Sequence, residues 1–224
     1  RRALPIFEVL PKDGIFQRHY SPSDVAVDAS GNVYFVGELD YRSNVWKLTG
    51  GTGEPATLPF PGLSGYGQKA IAVTDSGDVS VTDDQNPGYR ILKLAAGSTE
   101  PTERKITPFV RPGGLAVDQA GNTYVADDDK VLKYSADVSK PTELPVGDLK
   151  RAEGLALDVA GNLYVSDVDN NRVVKLAAGT NEQTVLPFSG LNEPTAVAVD
   201  KAGNVYVVDR TGESGSRVIK LPVG

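Results

Sequence analysis

Apolar residues in this chain come in short runs cut by polar turns, and no stretch sustains a helical spacing. One pattern recurs. It reads Val25-Ala26-Val27-Asp28 with Gly31-Asn32-Val33-Tyr34, then Ile71-Ala72-Val73 with Gly77-Asp78-Val79-Ser80. It returns as Leu115-Ala116-Val117-Asp118 with Gly121-Asn122-Thr123-Tyr124, and as Leu155-Ala156-Leu157-Asp158 with Gly161-Asn162-Leu163-Tyr164. The last copy is Val197-Ala198-Val199-Asp200 with Gly203-Asn204-Val205-Tyr206. The starts at 25, 71, 115, 155 and 197 are 46, 44, 40 and 42 residues apart. That is the period of four-stranded propeller blades.

Each copy predicts its own strands. The first alternates Ala with larger apolar residues, which suits a crowded inner position. The Asp-x-x-Gly-Asn segment supplies a turn, because Gly and Asn tolerate positive φ and Asp bonds to backbone two residues on. A β-branched second strand follows, as in Asn204–Asp209, and a half-solvated third, as in Arg172–Leu176 or Arg217–Leu221. The fourth, Gln183–Phe188, contains Pro187, and Pro belongs on an edge strand. The final copy stops after its third strand. Glu8-Val9-Leu10-Pro11 lines up with Thr184-Val185-Leu186-Pro187, so residues 6–11 are expected to supply the outer strand of the last blade. The chain therefore reads as all-β, a single propeller domain over residues 1–224 with five four-stranded blades. The rival is a six-bladed ring lacking one blade, which would expose two apolar faces.

Composition narrows the chemistry. The net charge of −6 disfavours an electrostatic grip on nucleic acid or anionic lipid. Zero Cys excludes disulfides, thiol catalysis and cysteine-bound metals. A single His, His19, excludes the HExxH zinc motif. No apolar run is long enough to cross a membrane as a helix. The first residues lack the apolar stretch of a signal peptide, so any such segment is expected to have been removed.

The segment Gly154–Leu176, with Gly-Leu-Ala-Leu-Asp, Gly-Asn-Leu-Tyr-Val-Ser-Asp and Asn-Asn-Arg-Val-Val-Lys-Leu, resembles the NHL repeat. With the linking phrase Leu176–Leu191, the whole chain is similar to the extracellular sensor propellers of mycobacterial receptor serine/threonine kinases of the protein kinase D type. It departs from them in blade number, and in its second copy, where Thr74 and Ser80 replace Asp and Tyr. The resemblance implies a ligand-sensing or protein-binding domain outside the cytoplasm, in the cell envelope or secreted. No kinase motif is present, so a catalytic part would lie elsewhere in a parent chain.

In a propeller, loops joining second to third strands share one face with loops joining fourth strands to the next blade. The former are acidic here: Glu38 and Asp40, Asp83 and Asp84, Asp127-Asp128-Asp129, Asp167 and Asp169, Asp209 with Arg210 and Glu213. Carboxylates in that arrangement suit a cation or basic peptide. They also suit turns, and Asp167 has Asn170, Asn171 and Arg172 within reach of its own loop. The Asp127-Asp128-Asp129 run exceeds what one turn needs, yet lacks the EF-hand alternation. The linking loops add Tyr20, Tyr66, Arg111, Arg151, Glu153, Asn192 and Glu193, of which Tyr and Arg are favoured anchors. The candidate binding residues are thus Tyr20, Tyr66, Arg111, Asp127, Asp128, Asp129, Arg151, Glu153, Asp169 and Arg210. Trp46 is expected to fill space between blades. Asp28, Asp118, Asp158 and Asp200 read as turn residues, and the Tyr series as core.

Catalysis finds little support. Propellers of this kind include lyases and hydrolases, whose sites need converging His, Tyr, Arg or carboxylates. The inner strands open instead on Asp24, Ala70, Gly114, Gly154 and Ala196, and His19 is the only imidazole. The expectation is a non-enzymatic binding module with no cofactor, no metal and an unknown protein or ligand partner. An adhesive or scaffolding envelope protein is the alternative, and a metal-dependent lyase or hydrolase a weaker one.

Overall fold

The computed structural model of the chain describes residues 20–39, 42–51, 55–65, 67, 69–85, 88–106, 112–135, 140–180, 182–210 and 216–223. Five antiparallel sheets follow one another, each built in chain order from inner to outer strand. The protein is a five-bladed β-propeller. Its contacts divide into two compact units, Arg1–Arg104 and Lys105–Gly224.

The first unit carries two blades. Blade 1 is β1 (Tyr20–Val27), β2 (Val33–Leu39), β3 (Arg42–Leu48) and β4 (Ala56–Thr57); blade 2 is β5 (Ile71–Val73), β6 (Val79–Asp84), β7 (Tyr89–Leu94) and β8 (Thr102–Ile106), whose last two residues belong to the second unit. Tyr34, Val36 and Val45 of blade 1 pack on Ile71, Val79, Val81 and Leu92 of blade 2. Trp46 is buried, stacked on Phe35 with ring centroids 5.1 Å apart, and shares a cluster with Leu48 of its own blade.

The second unit carries three. Blade 3 is β9 (Pro112–Val117), β10 (Thr123–Asp127), β11 (Lys130–Tyr134) and β12 (Thr142–Glu143); blade 4 is β13 (Ala152–Leu157), β14 (Leu163–Asp167), β15 (Arg172–Leu176) and β16 (Gln183–Val185). Blade 5 has three described strands, β17 (Pro194–Val199), β18 (Val205–Arg210) and β19 (Ser216–Leu221). Residues 6–11, expected as its fourth, lie outside the described residues. Tyr124 and Val131 pack on Leu155 and Val165, and Tyr164 and Val173 on Val197 and Val207.

Inner strands begin earlier than the apolar pattern predicts, at Pro112, Ala152 and Pro194 in this unit. A register shift lies between Ala152 and Leu155, and another between Pro194 and Ala196. Such bulges break the alternation, so the extra residues read as loop. Gly154 sits inside this bulged stretch because an added Cβ would lie 2.8 Å from Ala196 Cα and Val197 N. Gly114 is pinned in the same way by Leu155 N, 2.9 Å away.

The turns after the inner strands are built as the sequence implies. Asp158 Oδ1 accepts the Asn162 and Ala160 N–H groups, and its Oδ2 accepts Asn162 Nδ2 (2.7 Å) and the Tyr164 hydroxyl (3.0 Å). Asn162 Oδ1 then accepts the Ala178 N–H from the turn after the third strand. The same bonds recur around Asp28 and Asp200, with Gly at positive φ in each turn. Lys175 lies over the Tyr164 ring, 5.4 Å from its centroid. Burial and the Asp158 carboxylate together push the Tyr164 hydroxyl up to about 12. The Asn204 amide holds the Asp200 carboxyl below the usual carboxylate range. In blade 2 Thr74 Oγ1 takes the place of the Asp and accepts the Asp78 N–H (3.0 Å), Asp78 Oδ1 accepts the Ala96 N–H (3.0 Å), and Lys93 pairs with Asp78 Oδ2 at 3.1 Å.

Candidate functional site

The opposite ends of the blades are organised by a second repeated device. Asp83, Asp127, Asp167 and Asp209, closing or nearly closing the second strands, are all fully buried. Three of them face an Arg directly across the hairpin, in the pairs Asp83–Arg90, Asp167–Arg172 and Asp209–Arg217. Each of these carboxylates accepts the Arg Nε, at 2.9, 2.6 and 2.9 Å respectively. Each also accepts a backbone N–H from the preceding linking loop: Ser64 (2.9 Å), Lys150 (2.7 Å) and Asn192 (2.6 Å). The guanidinium then donates to a carbonyl of that loop, Gly62, Asp148 or Gly190. A buried, paired charge thus fastens the linking loop to the hairpin. In blade 3 the facing residue is Lys130.

The candidate residues separate along this frame. Tyr20 opens β1, and its side chain is not described; Tyr66, Arg111 and His19 lie outside the described residues. The acidic run of blade 3 does not present a single surface. Asp127 is buried, Asp128 adopts a left-handed φ of 55° and accepts the Ala152 N–H on its carbonyl (2.6 Å), and Asp129 is exposed. Asp128 and Asp129 form the two-residue hairpin turn between β10 and β11.

Four others come together in the Lys105–Gly224 unit. Arg151 Nη2 lies 2.8 Å from Asp169 Oδ1 and 3.8 Å from Glu193 Oε2, while its Nε is 3.9 Å from Glu153 Oε1. Arg210 Nη1 reaches the same Glu193 oxygen at 3.7 Å. Glu153, expected in a loop, belongs to β13. The backbone holds the cluster in place. Val168 and Asp169 donate to the carbonyls of Arg151 and Lys150, and Asn171 Oδ1 accepts the Glu193 N–H at 2.8 Å. Arg151 and Glu193 both sit at φ 57°, a conformation that costs roughly 1 kcal/mol or more in a residue with a side chain.

Electrostatically, three carboxylates and two guanidiniums leave this cluster one negative charge. Asp169, Glu193 and Arg210 have about half of their side chains in solvent. The Arg151 Nε and Nη2 atoms are buried, and their ion pairs do not reach hydrogen-bond geometry. Among the described residues, no group of three or more His, Cys, Asp or Glu is placed to hold a metal ion.

Sequence reasoning missed two features. One is the Asp–Arg anchor as a repeated device: Asp167 does bond Asn170 and Arg172 of its own hairpin as expected, but Asp83–Arg90 and Asp209–Arg217, seven and eight residues apart, align only through strand register. The other is Lys69, a buried cation just before β5, 3.8 Å from Asp83 Oδ1. Burial holds its ammonium below the usual lysine range. The sequence signal was a lysine where the other copies carry Ser23, Gly113, Glu153 or Thr195.

Comparisons with known proteins agree with this architecture. No curated protein sequence matches the chain. Among solved structures, a chain from the crystal structure of a nidogen/laminin complex is 24% identical with a TM-score of 0.74, over 91% of this chain and 76% of that one. A catalytically inactive virginiamycin B lyase from Staphylococcus aureus with quinupristin aligns at 14% identity and TM-score 0.65, over 92% and 71% of the two chains. A streptogramin B lyase aligns at 14% and 0.59, over 91% and 84%. The NHL repeat profile matches residues 149–176, the segment that holds Arg151, Glu153 and Asp169, so the chain is a five-bladed β-propeller carrying an NHL repeat.

Proposed function

We propose that this protein is a non-catalytic binding module that docks a protein partner on the loop end of its Lys105–Gly224 unit. The observation that carries the reading is the cluster of Arg151, Glu153, Asp169, Glu193 and Arg210, with the last three half exposed and with Arg151 and Glu193 held on strained, well-bonded backbone. Charges placed this way favour orientation and partner choice over raw affinity. The likeness to a chain of the nidogen/laminin complex supports a protein partner. The sequence resemblance to receptor-kinase sensor propellers supports a place outside the cytoplasm, where the module reports a ligand or anchors an envelope assembly. The lyase likenesses carry the fold alone.

Affinity capture from envelope extracts tests the reading. The parent chain is compared with a double variant, Asp169→Lys with Arg210→Glu, whose side chains are exposed enough to leave the fold intact. The expected result is a partner retained by the parent and lost by the variant at unchanged melting temperature. Equal retention by both would remove the cluster from the binding face.

A further inference from the structure

The residue before the apolar run of each inner strand is small in four blades, Ala70, Gly114, Gly154 and Ala196, and a carboxylate, Asp24, in one. In the Lys105–Gly224 unit, Gly114 and Gly154 let neighbouring inner strands meet backbone to backbone, with no room for a Cβ. In the Arg1–Arg104 unit a side chain spans the gap. Asp24 Oδ2 accepts the N–H of Ile71, the first residue of β5, at 2.9 Å, and its Oδ1 accepts the Val25 N–H at 2.9 Å. Next to it, Ser23 Oγ lies 3.2 Å from the carbonyls of Val36 and Lys69, the first on β2 and the second beside β5. Asp24 also sits at the bulge of β1, where the register with β2 shifts.

We propose that Asp24 is a proton-sensitive clasp on the seam between β1 and β5, independent of the binding site above. Ionised, the carboxylate offers an acceptor to each of the two amides. When it takes one proton from solvent, one oxygen becomes an O–H donor and the bond across the seam is rewired. The titratable groups on the packed elements are Tyr34 and Glu38 on β2 and Lys69 just before β5. Tyr34 donates to Asp28, and Lys69 faces Asp83. Burial is the largest influence on the carboxyl and raises it to about 6, outweighing the two N–H bonds that pull the other way.

The test is an NMR titration of the full chain from pH 4 to 8, with carbon-labelled Asp and nitrogen-labelled backbone. The expected result is an Asp24 carboxyl midpoint near 6, with the Ile71 amide proton moving upfield on acidification at the same midpoint. The amides of Leu155 and Val197, which face glycine, stay still through that step. An Asp24 midpoint among the exposed carboxylates, or an Ile71 amide indifferent to the Asp24 transition, overturns the proposal. Asp24→Asn abolishes the Ile71 step if the variant folds; the parent titration decides the matter without it.

Discussion

The loop ends of the two units use one anchor in two ways. In the first unit the charges around Asp83 are spent inward: Arg90 binds Asp83, the Gly62 carbonyl and Glu103, Gln85 donates to Asp83 at 2.6 Å, and Lys69 is buried beside it. In the second unit Asp167 and Asp209 do the same work with Arg172 and Arg217, but a second shell of charge stands outside them. Arg151, Glu153, Asp169, Glu193 and Arg210 stand apart from that anchor; Asp169, Glu193 and Arg210 remain half open to water, while Arg151 and Glu153 are mostly covered. The contrast shows that proximity to the loop end does not by itself make a charge part of the scaffold. Burial and completed hydrogen bonds do.

The sharpest way to break this comparison is to remove an anchor. Asp167→Ala leaves the Arg172 guanidinium and the Lys150 N–H without their acceptor, and is expected to cost about 3–5 kcal/mol in chemical denaturation. A loss under 1 kcal/mol would place Asp167 with the outer charges. Next in size is the pH dependence of the first unit. Asp24, at 3.8 unfolded and about 6 folded, contributes stability that is complete below the unfolded value and is lost as pH rises through the folded one. The parent should therefore lose up to about 3 kcal/mol between pH 4 and 7 from this group, and Asp24→Asn should lack that component. Tyr164→Phe removes one bond to Asp158 and is expected to cost about 1 kcal/mol, measured by thermal unfolding.

The smaller effects test the outer shell. Arg151→Gly relieves a left-handed φ while deleting partly exposed ion pairs, so its stability should stay within about 1 kcal/mol of the parent. Capture of the partner should nevertheless fail. Asp169→Ala should change stability by less than about 0.5 kcal/mol, read by denaturant midpoint. If either variant is as damaging as Asp167→Ala, the distinction between anchor and outer charge collapses.

Much of the fold was legible because four of the five copies state their own turn. Asp, Gly, Asn and Tyr are four residue types with one joint purpose, and their bonds in the structure join those same side chains. Strand starts were less legible, since the bulges before Leu155 and Val197 interrupt the period of two. The site was half legible. Residue type pointed to Arg151, Glu153, Asp169 and Arg210, which do meet through Glu193 and Arg151. Residue type also pointed to Asp127, because a run of three carboxylates gives no hint of which one the strand turns inward. Of the Asp–Arg anchors only Asp167–Arg172 was legible; the repetition stayed hidden because hairpins of different length scatter the other partners in sequence while register keeps them opposite.

The Asp–Asn–Tyr turn has an evolutionary consequence. Its carboxylate, amide, phenol and the loop amide it captures all belong to one blade, from Asp28 to Gly50 in the first copy and from Asp158 to Ala178 in the fourth. A duplicated or deleted copy therefore arrives or leaves with the polar bonds of this turn already made, and the apolar faces and the bonds between neighbouring blades, such as Asp24 to Ile71, are what must be found anew. Lineages built from this repeat can change their copy number by simple recombination, while each inherited copy keeps the chemistry of its own turn.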